Sequence, residues 1–175
     1  QLGDGSTTTR STAVQLTGLS NIVAIAAGSQ HSLALAADGT VYAWGDNAFG
    51  QLGTSGAGSA LPVRVDLPRA AIAVAATHKA SYALLDDGSV YAWGSSAGFG
   101  LLGDGDKNST RATPGPVTTV NSVVQIAARD NDDRLRLLLL PNLGNGLHHI
   151  RHAHRQQRAA NEKRVVGHIF LNAAT

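Results

Sequence analysis

Three groups of residues in the sequence carry side chains with chemical potential. His31, Ser32 and Asp38 supply the residue types of a hydrolytic triad, in which an imidazole takes the proton of a hydroxyl nucleophile and a carboxylate orients the ring. Adjacent residues of a strand point to opposite faces, so His31 and Ser32 do not meet if the segment is extended, and no nucleophile elbow surrounds the serine. The role expected of His31 is a hydrogen bond to neighbouring backbone at the entrance of a strand. Asp4, Asp46 and Asp104 stand near glycines, and the run from Asp104 to Asp106 superficially resembles a calcium loop. The alternating oxygen ligands and closing glutamate of an EF-hand are missing, so these carboxylates are read as turn formers that accept backbone N–H groups. His148, His149, His152 and His154 interleave with Arg151, Arg155 and Arg158; His148 and His152 would share one face of a helix and could serve a metal or an anionic surface. No acidic residue supports them, and Pro141, Gly144 and Gly146 predict a loop leading in. No glycine run has the spacing of a phosphate cradle. The reading therefore assigns no catalytic residue, no cofactor and no metal.

The elements that must position these residues are written twice. HSLALAADGTVYAWGDNAFGQLG at 31–53 returns as ASYALLDDGSVYAWGSSAGFGLLG at 80–103. Val23, Ile25 and Ala27 recur as Ile72, Val74 and Ala76, then as Val124, Ile126 and Ala128, and QLGDG at the start becomes QLGTS at Gln51 and LLGDG at Leu101. A period of about 50 residues signals stacked β-modules. The sequence opens inside a QLG motif and has no methionine, which predicts a piece of a longer chain.

Each module reads as four short strands, three of them meandering. In the first these are Ala13–Leu16, Ile22–Ala27, His31–Ala36 and Val41–Trp44; in the second, Pro62–Val65, Ile72–Ala76, Ser81–Leu85 and Val90–Trp93. Leu33 and Leu35 fall on the face opposite Ser32 and Ala34. Asp38 with Gly39, and Asp87 with Gly88, are expected to supply the positive φ angles of a tight primed hairpin. The residues expected to define the repeat are Tyr42, Trp44, Tyr91 and Trp93, together with Gly39, Gly45, Gly53, Gly88, Gly94 and Gly103. The aromatic residues are read as packing between modules rather than as an exposed ligand stripe, because each buries about 150–250 Å² in a core. A four-stranded module has two faces to cover, and copies of itself in a ring or an open stack would cover them.

Charge divides the chain. Residues 1–128 hold six Lys or Arg against eight Asp, a net −2, whereas residues 129–175 hold eight against four acidic residues, a net +4. The basic character belongs to the tail and gives no ground for a nucleic-acid partner. No run reaches the ~20 apolar residues of a membrane-spanning helix. The absence of cysteine leaves the redox compartment open, with an extracellular or cell-surface setting favoured over the cytoplasm.

QLGDG, the HSLAL strand, DGTVYAWGDN and the return to GQLG together resemble the regulator of chromosome condensation (RCC1) repeat, over residues 1–128. The resemblance implies an all-β fold, here about two and a half four-stranded blades of an incomplete propeller. Ala80 stands where the first copy has His31, and Leu101 where it has Gln51. After Ala128 the pattern breaks into RDNDDRLRLLLLPNLGNG, as a shifted reading frame would produce, so residues 129–175 are expected to be a separate basic tail, frameshifted or disordered. Arg134–Leu140 is read as one strand or a helical turn, and Arg155–Lys163 as a short helix.

What the resemblance implies for function is a noncatalytic scaffold that binds an unknown protein partner through its inter-strand loops, with self-association through open blade edges as a further expectation. The family also contains guanine-nucleotide exchange factors and propellers that inhibit enzymes, and an accessory domain of a larger cell-surface or enzyme-containing protein is a third role.

Overall fold

The computed structural model describes residues 2–96, 100–129 and 134–139. The expected tail helix and the histidine cluster lie outside these residues. Among them every regular element is a strand: β1 (Ile22–Ala27), β2 (His31–Ala36), β3 (Val41–Gly45), β4 (Ser59–Val65), β5 (Ala71–Ala76), β6 (Ala80–Leu85), β7 (Val90–Ser95), β8 (Thr110–Pro116), β9 (Val123–Arg129) and β10 (Arg134–Leu139). They form antiparallel sheets in the orders β1-β2-β3-β4, β5-β6-β7-β8 and β9-β10, two blades and the start of a third. This is the all-β, partial propeller that the repeats imply. β10 resolves the choice left open by its apolar run: it is a strand, with Leu137 opposite Ile126 and Leu135 opposite Ala128.

The blades are out of phase with the modules read from the sequence. Ala13–Leu16 is not in a strand, and the segment containing Pro62–Val65 closes the first sheet by pairing with β3, with Val65 opposite Val41. All four strands meander. The cause lies in the sequence order: β3 has a free edge as it leaves Gly45, and the next extended segment is the nearest one able to fill it.

The hairpin turns also differ from expectation. Gly39 and Gly88 have φ of +88° and +83°, but neither Asp38 nor Asp87 has positive φ. Gly39 N donates to Ala36 O at 3.0 Å and Ala36 N to Thr40 O at 2.8 Å, so the loop is one residue longer than a primed turn and ends in a left-handed glycine. Asp38 instead accepts the Thr40 amide at 2.9 Å, a bond that holds its carboxyl below the usual range. Gly39 is required for a second reason: a methyl there would lie 2.5 Å from Ala70 Cβ, where the next blade begins and Ala71 N donates to Gly39 O.

Strand alternation places the core between blades. Leu33, Leu35, Val41, Ala43, Leu52 and Val65 of the first blade meet Ala71, Ala76, Ala83, Leu85 and Trp93 of the second. The opposite face of the second blade, with Tyr82, Leu84, Val90 and Ala92, meets Val123 and Ile126 of β9. Each fully buried Leu or Val contributes about 1.5–3 kcal/mol, and the side chains of Leu33, Leu52, Leu84 and Leu85 are all completely covered.

Candidate protein-interaction face

Strand direction sorts the connections onto two ends of the blades. The short turns at 37–40 and 86–89 lie at one end with 66–70. At the other lie 28–30, 77–79 and the two long loops, 46–58 and 96–109. The long loops each have two parts. In the first, Asn47, Gln51 and Leu52 are buried; in the second, residues 55–58 are exposed. Only part of each loop is thus open to a partner, because the buried part belongs to the core.

The buried half is built by side-chain amides. Asn47 Nδ2 donates to the carbonyls of Thr54 and Gly56 at 2.8 and 2.9 Å, and its Oδ1 accepts the Leu52 amide at 2.9 Å. Gln51 Nε2 donates to Asp46 Oδ2 at 2.7 Å, and its Oε1 accepts Phe49 N at 2.9 Å. The loop so shaped crosses onto the next blade, where Gly50 lies against the backbone of Ala112 and Gly53 against the Trp93 indole, with Val65 of the loop's own blade also beside Gly53. The Gln51 carbonyl accepts two bonds there, from Trp93 Nε1 at 2.9 Å and from the Ser81 hydroxyl at 2.8 Å. His31 Nε2 is 2.8 Å from the same hydroxyl. A serine has one proton, and the carbonyl has none to give, so Ser81 donates to Gln51 and His31 must donate from Nε2. His31 is therefore bonded to a side chain of the next blade. His31, Gln51, Ser81 and Trp93 are each at most 1% exposed.

The repeat-defining residues fall around this seam. Trp44 is 6% exposed and meets Gly3 and Leu16 as Trp93 meets Gly53 and Val65. Tyr42 and Tyr91 are half-buried, Tyr91 packing on the core between the blades. Gly45 and Gly94 sit at bulges with φ of +111° and +101°, and a methyl on either would collide with the carbonyl of Gln30 or Lys79. Gly103 abuts Val117. His78, two residues before Ala80, bonds across the seam to Ser29 Oγ, and Lys79 Nζ lies 4.2 Å from the centre of the Phe49 ring.

The aspartates near glycines serve as local latches. Asp4 Oδ1 accepts the Ser6 amide and hydroxyl, each at 2.9 Å, and Oδ2 pairs with Arg10 Nη2 at 2.8 Å. Asp104 accepts the Asp106 amide and pairs with Arg111 at 3.2 Å. The Ser6 amide chiefly holds Asp4 below the usual carboxylate range, and the Ser109 hydroxyl, with the Asp106 amide and Arg111, does so for Asp104. The middle copy carries Thr54 and Ser59 in place of the pair, Ser59 standing opposite Gly45 as Arg111 stands opposite Gly94. That joint replacement is a signal the sequence offered and the reading of carboxylates alone passed over. Among the described residues no three metal-ligating side chains converge, and no helix is long and apolar enough to cross a membrane.

The exposed half is where the copies diverge. Thr54–Gly58 reads TSGAG and Asp104–Asn108 reads DGDKN, flanking a surface that also holds Ser29, Gln30 and His78.

Comparison with known proteins agrees with this arrangement. Two family models, both described as the regulator of chromosome condensation (RCC1) repeat, match the chain, one at residues 22–51 and the other at 38–84 and 87–130. Human WBSCR16 is similar at 28% identity with a TM-score of 0.56, over 62% of this chain and 29% of that one. Yeast RCC1 (Prp20), in its structure bound to Kap60, is similar at 28% identity with a TM-score of 0.53, over 65% and 29%. Prp20p from Saccharomyces cerevisiae, studied for its binding to Gsp1p and histones, shares the fold at 19% identity with a TM-score of 0.63, over 85% and 36%. The chain thus spans about a third of the length of the structures it matches.

Proposed function

The chain belongs to the regulator of chromosome condensation (RCC1) repeat family, and from that membership we propose that it is a noncatalytic scaffold that binds a protein partner through its long-loop end. One observation carries the reading. HSLALAADGTVYAWG and ASYALLDDGSVYAWG agree at ten of fifteen positions, with VYAWG unchanged, whereas the loop segments TSGAG and DGDKN agree at none. A rigid frame with variable loops on one end is how scaffolds present binding residues. The similar yeast proteins support a protein as the class of partner, since they are described with Gsp1p, histones and Kap60.

The noncatalytic part of the proposal is supported by the state of the buried His31–Ser81 pair. Ser81 commits its proton to the Gln51 carbonyl, and both side chains are sealed from substrate. Nucleotide exchange on a GTPase, inhibition of an enzyme and service as an accessory domain would each use the same loop surface.

Photo-crosslinking residues placed at Ser55 and Lys107, with controls at Asp38 and Asp87 on the short-turn end, test the reading in extracts of the source cells. Discrete protein adducts from the first two positions, displaced by excess unlabelled chain, are expected. Adducts of equal yield from both ends, or none from Ser55 and Lys107, would refute it.

A further inference from the structure

We propose that Asn108 is an acceptor for N-linked glycosylation, on the exposed part of the β7–β8 loop. Asn108-Ser109-Thr110 is the one Asn-x-Ser/Thr triplet in the sequence, with no proline in the middle position. The structural context that such a triplet needs is a surface loop with the amide and the residue two positions on both accessible. Here Lys107, Asn108 and Thr110 are all exposed. The backbone at the acceptor itself is held by a side chain, with Asn108 N donating to Asp106 Oδ1 at 2.8 Å; Ser109 O then accepts Ser96 N at 2.9 Å, and Thr110 opens β8 opposite Ser95. A transferase therefore reaches Asn108 in the loop and has only the end of the β7–β8 ladder, at Ser109 and Thr110, to release.

The other asparagines show that sequence and exposure do not coincide by default. Asn47 is buried, with its amide nitrogen bonded to Thr54 and Gly56. Asn21 and Asn121 are exposed, but two positions on they have Val23 and Val123, which offer no hydroxyl. Asp106 adds a carboxylate two positions before the acceptor, so the stretch also suits a transferase that reads an acidic residue there with a basic pocket.

In the reaction the amide nitrogen Nδ2 of Asn108 forms a bond to the anomeric carbon of a lipid-diphosphate-linked oligosaccharide. The bond from that carbon to the diphosphate oxygen breaks, the lipid diphosphate leaves, and one amide proton passes to a base of the transferase. No redox partner is involved. The assignment stands apart from the partner-binding proposal, but it carries a location: the chain must leave the cytoplasm to meet this donor.

The test is secretion of the whole chain from eukaryotic cells and, in parallel, export to a bacterial periplasm furnished with an oligosaccharyltransferase and its lipid-linked donor. Intact mass and glycopeptide mapping are the readouts. A single glycan in either host, on the peptide that follows Lys107, is expected, lost in both Asn108→Gln and Thr110→Val and kept in Asn121→Gln. Matching far-UV circular dichroism of the variants and the parent excludes misfolding as the cause of the loss. An unmodified chain from both hosts, or a glycan that survives Asn108→Gln, overturns the proposal.

Discussion

His31 Nε2 lies 2.8 Å from the hydroxyl of Ser81, so the histidine of one repeat is bonded to the serine of the next repeat's equivalent strand. The pair closes a buried relay that ends on the Gln51 carbonyl and the Trp93 indole. Replacing His31 by Ala removes the donor to a buried hydroxyl and leaves a void at a position that is 1% exposed. The expected loss is about 1–3 kcal/mol, read as a lower urea midpoint at unchanged slope. A loss near zero would mean that the relay does not hold the blades together.

The two tryptophans differ in depth, at 0% and 6% exposure for Trp93 and Trp44. Trp93→Ala should cost roughly 3–5 kcal/mol and Trp44→Ala less. In Trp44→Phe the remaining fluorescence comes from Trp93, and it should be blue-shifted and resistant to acrylamide. Ready quenching in that variant would place Trp93 outside the seam.

Gly94 combines a φ of +101° with a Cβ position blocked by the Lys79 carbonyl, whereas Gly18 has a φ of +85° and open space around it. Gly18→Ala should cost only the left-handed backbone penalty, about 1–2 kcal/mol. Gly94→Ala should cost clearly more, because the blocking atom is backbone and cannot swing away. Equal thermal shifts for the two variants would show that the bulge can relax.

Asp4 is held below its ordinary value of 3.8, chiefly by the Ser6 amide. A carboxyl whose folded value is lowered adds stability above the unfolded value, and that stability is lost as pH falls through the folded one. Amide exchange at Ser6, followed by NMR with correction for its intrinsic pH dependence, should therefore lose protection as pH falls from about 4 to about 2. Asp4→Asn should abolish the step, and a step that persists in that variant would assign it to another group.

Strand positions in β2, β3, β6 and β7 were legible because alternation and the repeated turn both point to them. The phase of the blades was not, since the partner of Pro62–Val65 depends on which free edge lies closest in space, and local pattern is the same either way. The turn was misread for a related reason: Asp-Gly suits a two-residue primed hairpin, but the pairing of Ala36 with Thr40 sets a longer loop. The seam itself hangs on the main-chain carbonyl of Gln51, a group that every residue possesses and no side-chain pattern can mark. β10 stayed ambiguous because RLRLLL alternates at its start and is continuously apolar at its end, and only its ladder with β9 decides.

The crossing of the 46–53 loop onto the second blade has a consequence for how such chains can lengthen. The polar closure of this joint is encoded one unit upstream of the tryptophan it grips. A cassette cut at residues 66–70, between complete sheets, would carry the grip for its successor and the grooves for its predecessor, so copies could be spliced in series without redesigning any joint. A cassette cut at the QLG motif would sever the grip from its own frame, and every new junction would have to be rebuilt.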